Sequence, residues 1–114
     1  MQVQTTVSGR VLTARLSGEI DHNTAPRIRE AIDDAVSAWG PTTLRLDFRD
    51  VSFMDSSGVG LVMGRYRNAK LHGCDTQVAN LSRRYETIMR MSGLTKIVSF
   101  VSDRSEVKEH EKNQ

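Results

Sequence analysis

Strand-like and helix-like patterns take turns along nearly all of this chain, and that alternation restricts its fold more than any other feature. Val3, Thr5 and Val7 share one side of an extended stretch; then Val11, Thr13 and Arg15 alternate with Leu12, Ala14 and Leu16. Ser8-Gly9 between them is a turn signal, so the pattern predicts an antiparallel hairpin. Ser17-Gly18-Glu19-Ile20-Asp21 reads as the loop that ends the second strand. Ile28, Ala31, Ile32, Ala35, Val36 and Trp39 then recur at the helical period. Asn23 or Thr24 serves as the cap, and Pro26 lies in the first turn, where its missing N–H costs nothing. Gly40-Pro41 stops that helix.

The alternation continues. Residues 43–48 form a strand, with Val51, Phe53 and Met54 prolonging the apolar signal to Asp55. The second helix is expected over residues 57–71, burying Val59, Val62, Met63 and Tyr66 and ending at His72-Gly73. Residues 76–79 are a short strand. Ser82 opens a third helix that runs to Met91, with Tyr85, Ile88, Met89 and Ser92 on one face. Gly93 suits the left-handed position after a helix, and Leu94 packs back on the last turn. Residues 97–100 are a last strand, and Asp103 with Glu106 resembles the capping box of a final helix.

The resulting order is β-β-α-β-α-β-α-β-α. Strands that alternate with helices need crossover connections, hence a mostly parallel sheet, here with one antiparallel strand at the N-terminus. The expected fold class is α/β: a single mixed sheet flanked by about four helices. The 114 residues make one domain, long enough to hold a core without staples. Residues 1–102 form its body and 103–114 a polar helix or tail, with Val107 its only aliphatic residue.

Composition removes several classes of function. The net charge of +2 comes from interleaved acidic and basic residues, so neither a nucleic-acid stripe nor a polybasic membrane patch is present. Aromatic residues are too sparse for a base-stacking surface. Cys74, the single cysteine, makes no internal disulfide and reads as a small packed strand residue. No apolar run approaches the roughly 20 residues of a membrane-spanning helix. The first residues lack the basic-then-apolar pattern of a signal peptide, so the cytoplasm is the expected location. One cysteine and three scattered histidines give no zinc spacing, and no cofactor is expected.

Chemistry concentrates in Val51-Ser52-Phe53-Met54-Asp55-Ser56-Ser57-Gly58-Val59-Gly60, where a strand ends and a helix begins. In open α/β sheets that edge is where sites form. Gly58, Gly60 and Gly64 each cost about 1 kcal/mol of helix propensity relative to alanine. Close packing on the sheet is one reason to tolerate them; close approach of a partner's backbone is another. Ser56 and Ser57 sit at the helix start, where a phosphate would meet unpaired backbone N–H groups and the positive end of the dipole. Added charge of about −1.5 to −2 would then act outward on whatever docks there, and Asp55 would add to it. Ordinary N-capping by the same residues is the competing reading. A serine nucleophile would need a base within reach; only His22 lies near the strand ends, and no G-x-S-x-G elbow is present.

Phe53-Met54-Asp55-Ser56-Ser57-Gly58-Val59-Gly60, continued by Gly64-Arg65-Tyr66, closely resembles the signature of STAS domains that antagonise anti-sigma factors. Gly18-Glu19-Ile20-Asp21-His22-Asn23-Thr24-Ala25 is similar to that family's loop after the second strand, and Met91-Ser92-Gly93-Leu94-Thr95-Lys96-Ile97 to its Met-Ser-Gly-Leu corner. The resemblance is to the sporulation type of the family and implies a STAS fold over residues 1–102 and a partner-switching cycle. The unphosphorylated protein binds an ATP-bound serine kinase that is also the anti-sigma factor, freeing a sigma factor of the sigma-F pathway. Phosphorylation of the serine after the aspartate, here Ser56 with Ser57 as runner-up, ends binding, and a PP2C-type phosphatase restores it. Asp21, Asp55, Ser56, Ser57, Gly58 and Gly60 are the implied partner-binding residues; Asp21 as a plain helix cap stays open beside that role. Arg65 and Tyr66 read as packing and surface residues. Such a protein is a monomer with no enzymatic activity, no nucleic-acid partner and no membrane partner. The alternative is a STAS scaffold subunit of a stressosome-like or lipid-transport assembly. The polar segment 103–114 departs from the apolar final helix common in the family.

Overall fold

The structure of the chain, a computed structural model, describes residues 2–103. The elements are β1 (Val3–Ser8), β2 (Val11–Ile20), α1 (Ala25–Trp39), β3 (Thr43–Met54), α2 (Ser57–Leu71), β4 (Asp75–Ala79), α3 (Arg83–Met91), a 3-10 turn (Leu94–Lys96) and β5 (Ser99–Val101). The five strands lie in the sheet in chain order. β1 pairs antiparallel with β2, and all other pairs are parallel, giving the single mixed sheet that the alternation of patterns predicts. The described residues contain three α-helices rather than about four. The expected fourth belongs to the segment from Asp103 onward, of which 104–114 lie outside the described residues.

Period-two alternation sends Leu12, Ala14 and Leu16 of β2 and Leu44, Leu46 and Phe48 of β3 into one core. Ile28, Ile32 and Val36 of α1, Leu61 and Val62 of α2, and Tyr85 and Met89 of α3 pack on it. The alternate side chains face the other way and, Val11 apart, are polar. Arg15 pairs with Asp50 at 2.8 Å. Arg45 and Arg49 clamp the Asp103 carboxylate at 2.6 and 2.7 Å. Asn80, in the left-handed region at φ 58°, donates to Asp47 and accepts the Asp103 N–H. These bonds fasten the chain after β5 to the sheet.

Several boundaries differ from the sequence expectation for identifiable reasons. Ser17-Gly18-Glu19-Ile20 is not a loop but the end of β2. Gly18 at φ 75° and two register shifts keep β2 beside β3 until Ile20 meets Met54, and Ile20 is fully buried. β3 correspondingly runs unbroken to Met54. Trp39 is 64% exposed, because α1 ends there at left-handed Gly40, beyond the last core position at Val36. Ile88 is also exposed; α3 buries Tyr85 and Met89. The last strand starts at Ser99, since Ile97 and Val98 close the 3-10 turn that follows left-handed Gly93.

The buried face of α2 is the largest departure. Gly58, Leu61, Val62, Arg65 and Ala69 are buried, whereas Val59, Met63 and Tyr66 are only half-buried. Arg65 holds a core position because Asp33 of α1 accepts its Nε–H at 2.7 Å, with Asn68 donating to the same oxygen. Burial draws the Arg65 guanidinium down from its ordinary value, and Asp33 opposes that shift. A charged side chain in the buried stripe is what misled the apolar count. Cys74 is fully buried one residue ahead of β4, and desolvation pushes its thiol up.

Candidate functional site

Two turns leave the carboxyl edge of the sheet side by side. Ile20 and Met54 are register partners, and the Asp55 N–H donates to the Ile20 carbonyl at 3.1 Å. The turns that begin at Asp21 and Asp55 are therefore neighbours, although 34 positions separate them in the chain (55 minus 21).

Thr24 stands at the N-cap of α1 but makes no side-chain capping bond, contrary to the expectation for Asn23 or Thr24; instead Asp21 and Thr24 lock the turn that leads into the helix. Asp21 Oδ1 accepts the N–H groups of Asn23 and Thr24 at 2.9 and 3.0 Å, and Thr24 Oγ1 accepts the Asp21 N–H at 3.0 Å. The Thr24 N–H is the chief reason the Asp21 carboxyl lies below its ordinary value. Both backbone N–H groups go to Oδ1.

At the neighbouring turn the capping work falls to Asp55. Its Oδ1 accepts the Ser57 N–H at 2.8 Å, and its carbonyl accepts the Gly58 N–H at 3.0 Å. The Val59 and Gly60 N–H groups point to the Ser56 carbonyl. The expectation that a phosphate here meets unpaired N–H groups is thus corrected: the amides of residues 57–60 are taken. Ser56 stands at the N-cap position yet makes no side-chain capping bond, and it is exposed. Its hydroxyl is therefore not needed to start the helix.

The glycines divide by role. Gly58 is buried, and a Cβ there would lie 2.1 Å from the Met54 sulfur. Its lack of a side chain lets α2 sit down on the end of β3. Gly60 is exposed, and a Cβ there would meet nothing within 4 Å. Nothing inside the fold asks for glycine at position 60. Gly60 and Ser57, with Arg65 further along α2, line one side of a shallow groove of about 210 Å³ between α1 and α2, with His22, Pro26 and Arg29 opposite them.

The structure thus brings Asp21, Asp55, Ser56, Ser57 and Gly60 to one edge and places Gly58 beneath it. Sequence reasoning missed two supports of this edge. Thr24, read from the sequence only as a helix cap, closes the turn with Asp21. Tyr85 of α3 reaches under the second turn, where its hydroxyl oxygen accepts the Met54 N–H at 3.2 Å in a buried bond. The signal for Tyr85 was present as a single aromatic on a polar helix, but its target lies 31 residues away. Among the described residues no three His, Cys, Asp or Glu side chains gather as a metal site, and no helix is long and apolar enough to cross a membrane.

The sequence profile of the STAS domain matches residues 2–110. The chain belongs to the STAS domain family. Among curated relatives, an anti-sigma F factor antagonist of Paenibacillus polymyxa is 36% identical over 88 residues, 77% of this STAS domain chain and 75% of the relative. An anti-sigma-B factor antagonist of Bacillus subtilis is 34% identical over 95 residues, 83% and 84% of the two chains. The solved structure of the anti-sigma factor antagonist SpoIIAA in its unphosphorylated form superposes with a TM-score of 0.75 at 32% identity, covering 96% of each chain. The phosphorylated form of SpoIIAA from Bacillus superposes with a TM-score of 0.69 at 32% identity, over 94% of this STAS domain chain and 97% of the other.

Proposed function

We propose that this STAS domain is an anti-sigma factor antagonist, and that phosphorylation of Ser56 switches its binding off. The unphosphorylated protein binds an anti-sigma factor that is also an ATP-dependent serine kinase, releasing a sigma factor of the sigma-F type. The observation that carries the reading is Ser56 itself: an exposed hydroxyl, free of capping duty, on a turn held by Asp55 and set beside the Asp21 turn. A side chain that the fold does not use is open to modification without loss of structure.

The chemistry of the switch follows from that placement. A phosphate on Ser56 would sit at the positive end of the α2 dipole, so the fold tolerates it. Its charge of about −1.5 to −2 would fall next to Asp55 and near Asp21, on the surface a partner has to cover. Repulsion and desolvation then act on the complex rather than on the fold. That this chain superposes on both the unphosphorylated and the phosphorylated form of SpoIIAA supports a switch with little change of shape. The Asp21 carboxylate and the small surface at Gly60 offer the partner a negative charge and close backbone approach. A PP2C-type phosphatase would reset the cycle, with the protein acting as a monomer in the cytoplasm.

The test is incubation with the kinase encoded beside the sigma factor, with ATP, followed by intact mass measurement. Wild-type protein should gain one phosphate and lose affinity for the kinase. The Ser56→Ala protein should gain none and stay bound. Full modification of Ser56→Ala would move the site elsewhere, first to Ser57.

A further inference from the structure

Met54 ends β3 and hands the chain to Asp55 and Ser56. Strand geometry fixes where its N–H points. Successive N–H groups of a strand in a parallel sheet turn to opposite neighbours. The Asp55 N–H goes to Ile20 of β2, so the Met54 N–H points away from β2, to the side on which β4 lies. β4 accompanies β3 only as far as the Asp47–Ala79 pair, while β3 runs on to Met54. No strand is left there to receive the Met54 amide, and a buried amide without a partner is unfavourable. The Tyr85 hydroxyl takes the place of the missing strand. The Met54 side chain is meanwhile trapped under Gly58. The turn that carries Ser56 is thus fixed by β2 through Asp55, by α2 through Gly58 and by α3 through Tyr85.

We propose that Tyr85 is a positioning residue for the phosphoacceptor: its hydroxyl holds the Met54 amide and so sets the turn that aims the Ser56 hydroxyl. This rests on the reading of Ser56 as the phosphorylated serine. α3 thereby acts on the switch through the Met54 amide. A small displacement of a reacting atom lowers rate far more than it lowers affinity.

The variant Tyr85→Phe keeps the ring and removes the hydroxyl. Native-state amide exchange should accelerate by about tenfold or more at residues 54–58 relative to Leu46 in the same protein, as expected when one local bond is lost. With the anti-sigma kinase and ATP, kcat for phosphorylation should fall on the order of tenfold while KM stays within about twofold. An Ile32→Val control, a core change in α1, should alter neither ratio. Exchange at residues 54–58 that keeps pace with Leu46 overturns the proposal, and so does an unchanged kcat. Wild-type protein offers a test that needs no variant: the Met54 amide should exchange as slowly as that of Leu46, and rapid exchange overturns the pin. If the kinase leaves wild-type protein unmodified, the phosphorylation reading fails, while the exchange measurements still decide the role of Tyr85 in holding the turn.

Discussion

Replacing Gly58 by alanine would set a methyl carbon 2.1 Å from the Met54 sulfur and 2.3 Å from its Cγ. Met54 is buried at the end of β3, pinned at its N–H by Tyr85, and has little room to retreat. Overpacking of this kind costs about 1–3 kcal/mol. Alanine regains about 1 kcal/mol of helix propensity, so the net loss is roughly 0–2 kcal/mol. At about 3–6 °C per kcal/mol for a domain of this size, the melting temperature falls by up to about 12 °C. Gly60→Ala is the matched opposite. Its methyl meets nothing within 4 Å, so stability rises by about 0.5–1 kcal/mol and the melting temperature by roughly 2–5 °C. If the partner's backbone packs against Gly60, the same methyl costs the complex about 1–3 kcal/mol. That is a dissociation constant weaker by about 5- to 150-fold. Thermal melts and titration calorimetry against the anti-sigma factor measure both effects. Gly58→Ala melting at or above Gly60→Ala refutes the packing argument. Gly60→Ala that binds as tightly as wild type refutes the close-approach argument, whatever its stability.

Asp55→Ala should lose about 1 kcal/mol by removing the acceptor of the Ser57 N–H, whereas Ser56→Ala should stay within about 0.5 kcal/mol of wild type; denaturant curves would separate them, and equal losses would show Ser56 capping after all. The Asp21 carboxyl titrates below its ordinary value of 3.8, so its stabilising effect is present above that pH and is lost as pH falls through the lower folded value. The advantage of wild type over Asp21→Asn should accordingly close as pH is lowered through and below 3.8 in melts; a constant gap would contradict the role of the carboxylate in this turn. Arg65→Met strips Asp33 of its buried partner and should lose about 2–3 kcal/mol, less than the ~3–5 kcal/mol of a fully buried pair because Asp33 keeps some solvent. An unchanged melting temperature for Arg65→Met would mean that the pair contributes nothing net.

Much of the fold is written locally. The helix over 57–71, the stop at Gly40, the left-handed Gly93 and the buried Leu94 each follow from period, cap or turn chemistry within a few residues, and the structure has them where the sequence puts them. Alternation of strand and helix led to a mostly parallel sheet, because short chains have few other ways to bury both patterns. The same locality made the strand-to-helix junction at Asp55–Gly60 legible as the place for a site.

The serine turn itself shows where local reading stops. By sequence alone Ser56 was either a helix cap or an outward hydroxyl, and the two readings share the same residues. Tertiary structure separated them by giving the cap to Asp55 and leaving the Ser56 hydroxyl out of it. It also placed Asp21 beside that turn through the pairing of Ile20 with Met54, buried Gly58 against Met54, put Arg65 in the core through Asp33, and supplied Tyr85 where β4 runs out. Each of these depends on a partner distant in sequence, and no period or cap within one segment encodes such a partner. Patterning determined which elements form; packing between them decided which side chains hold the turn.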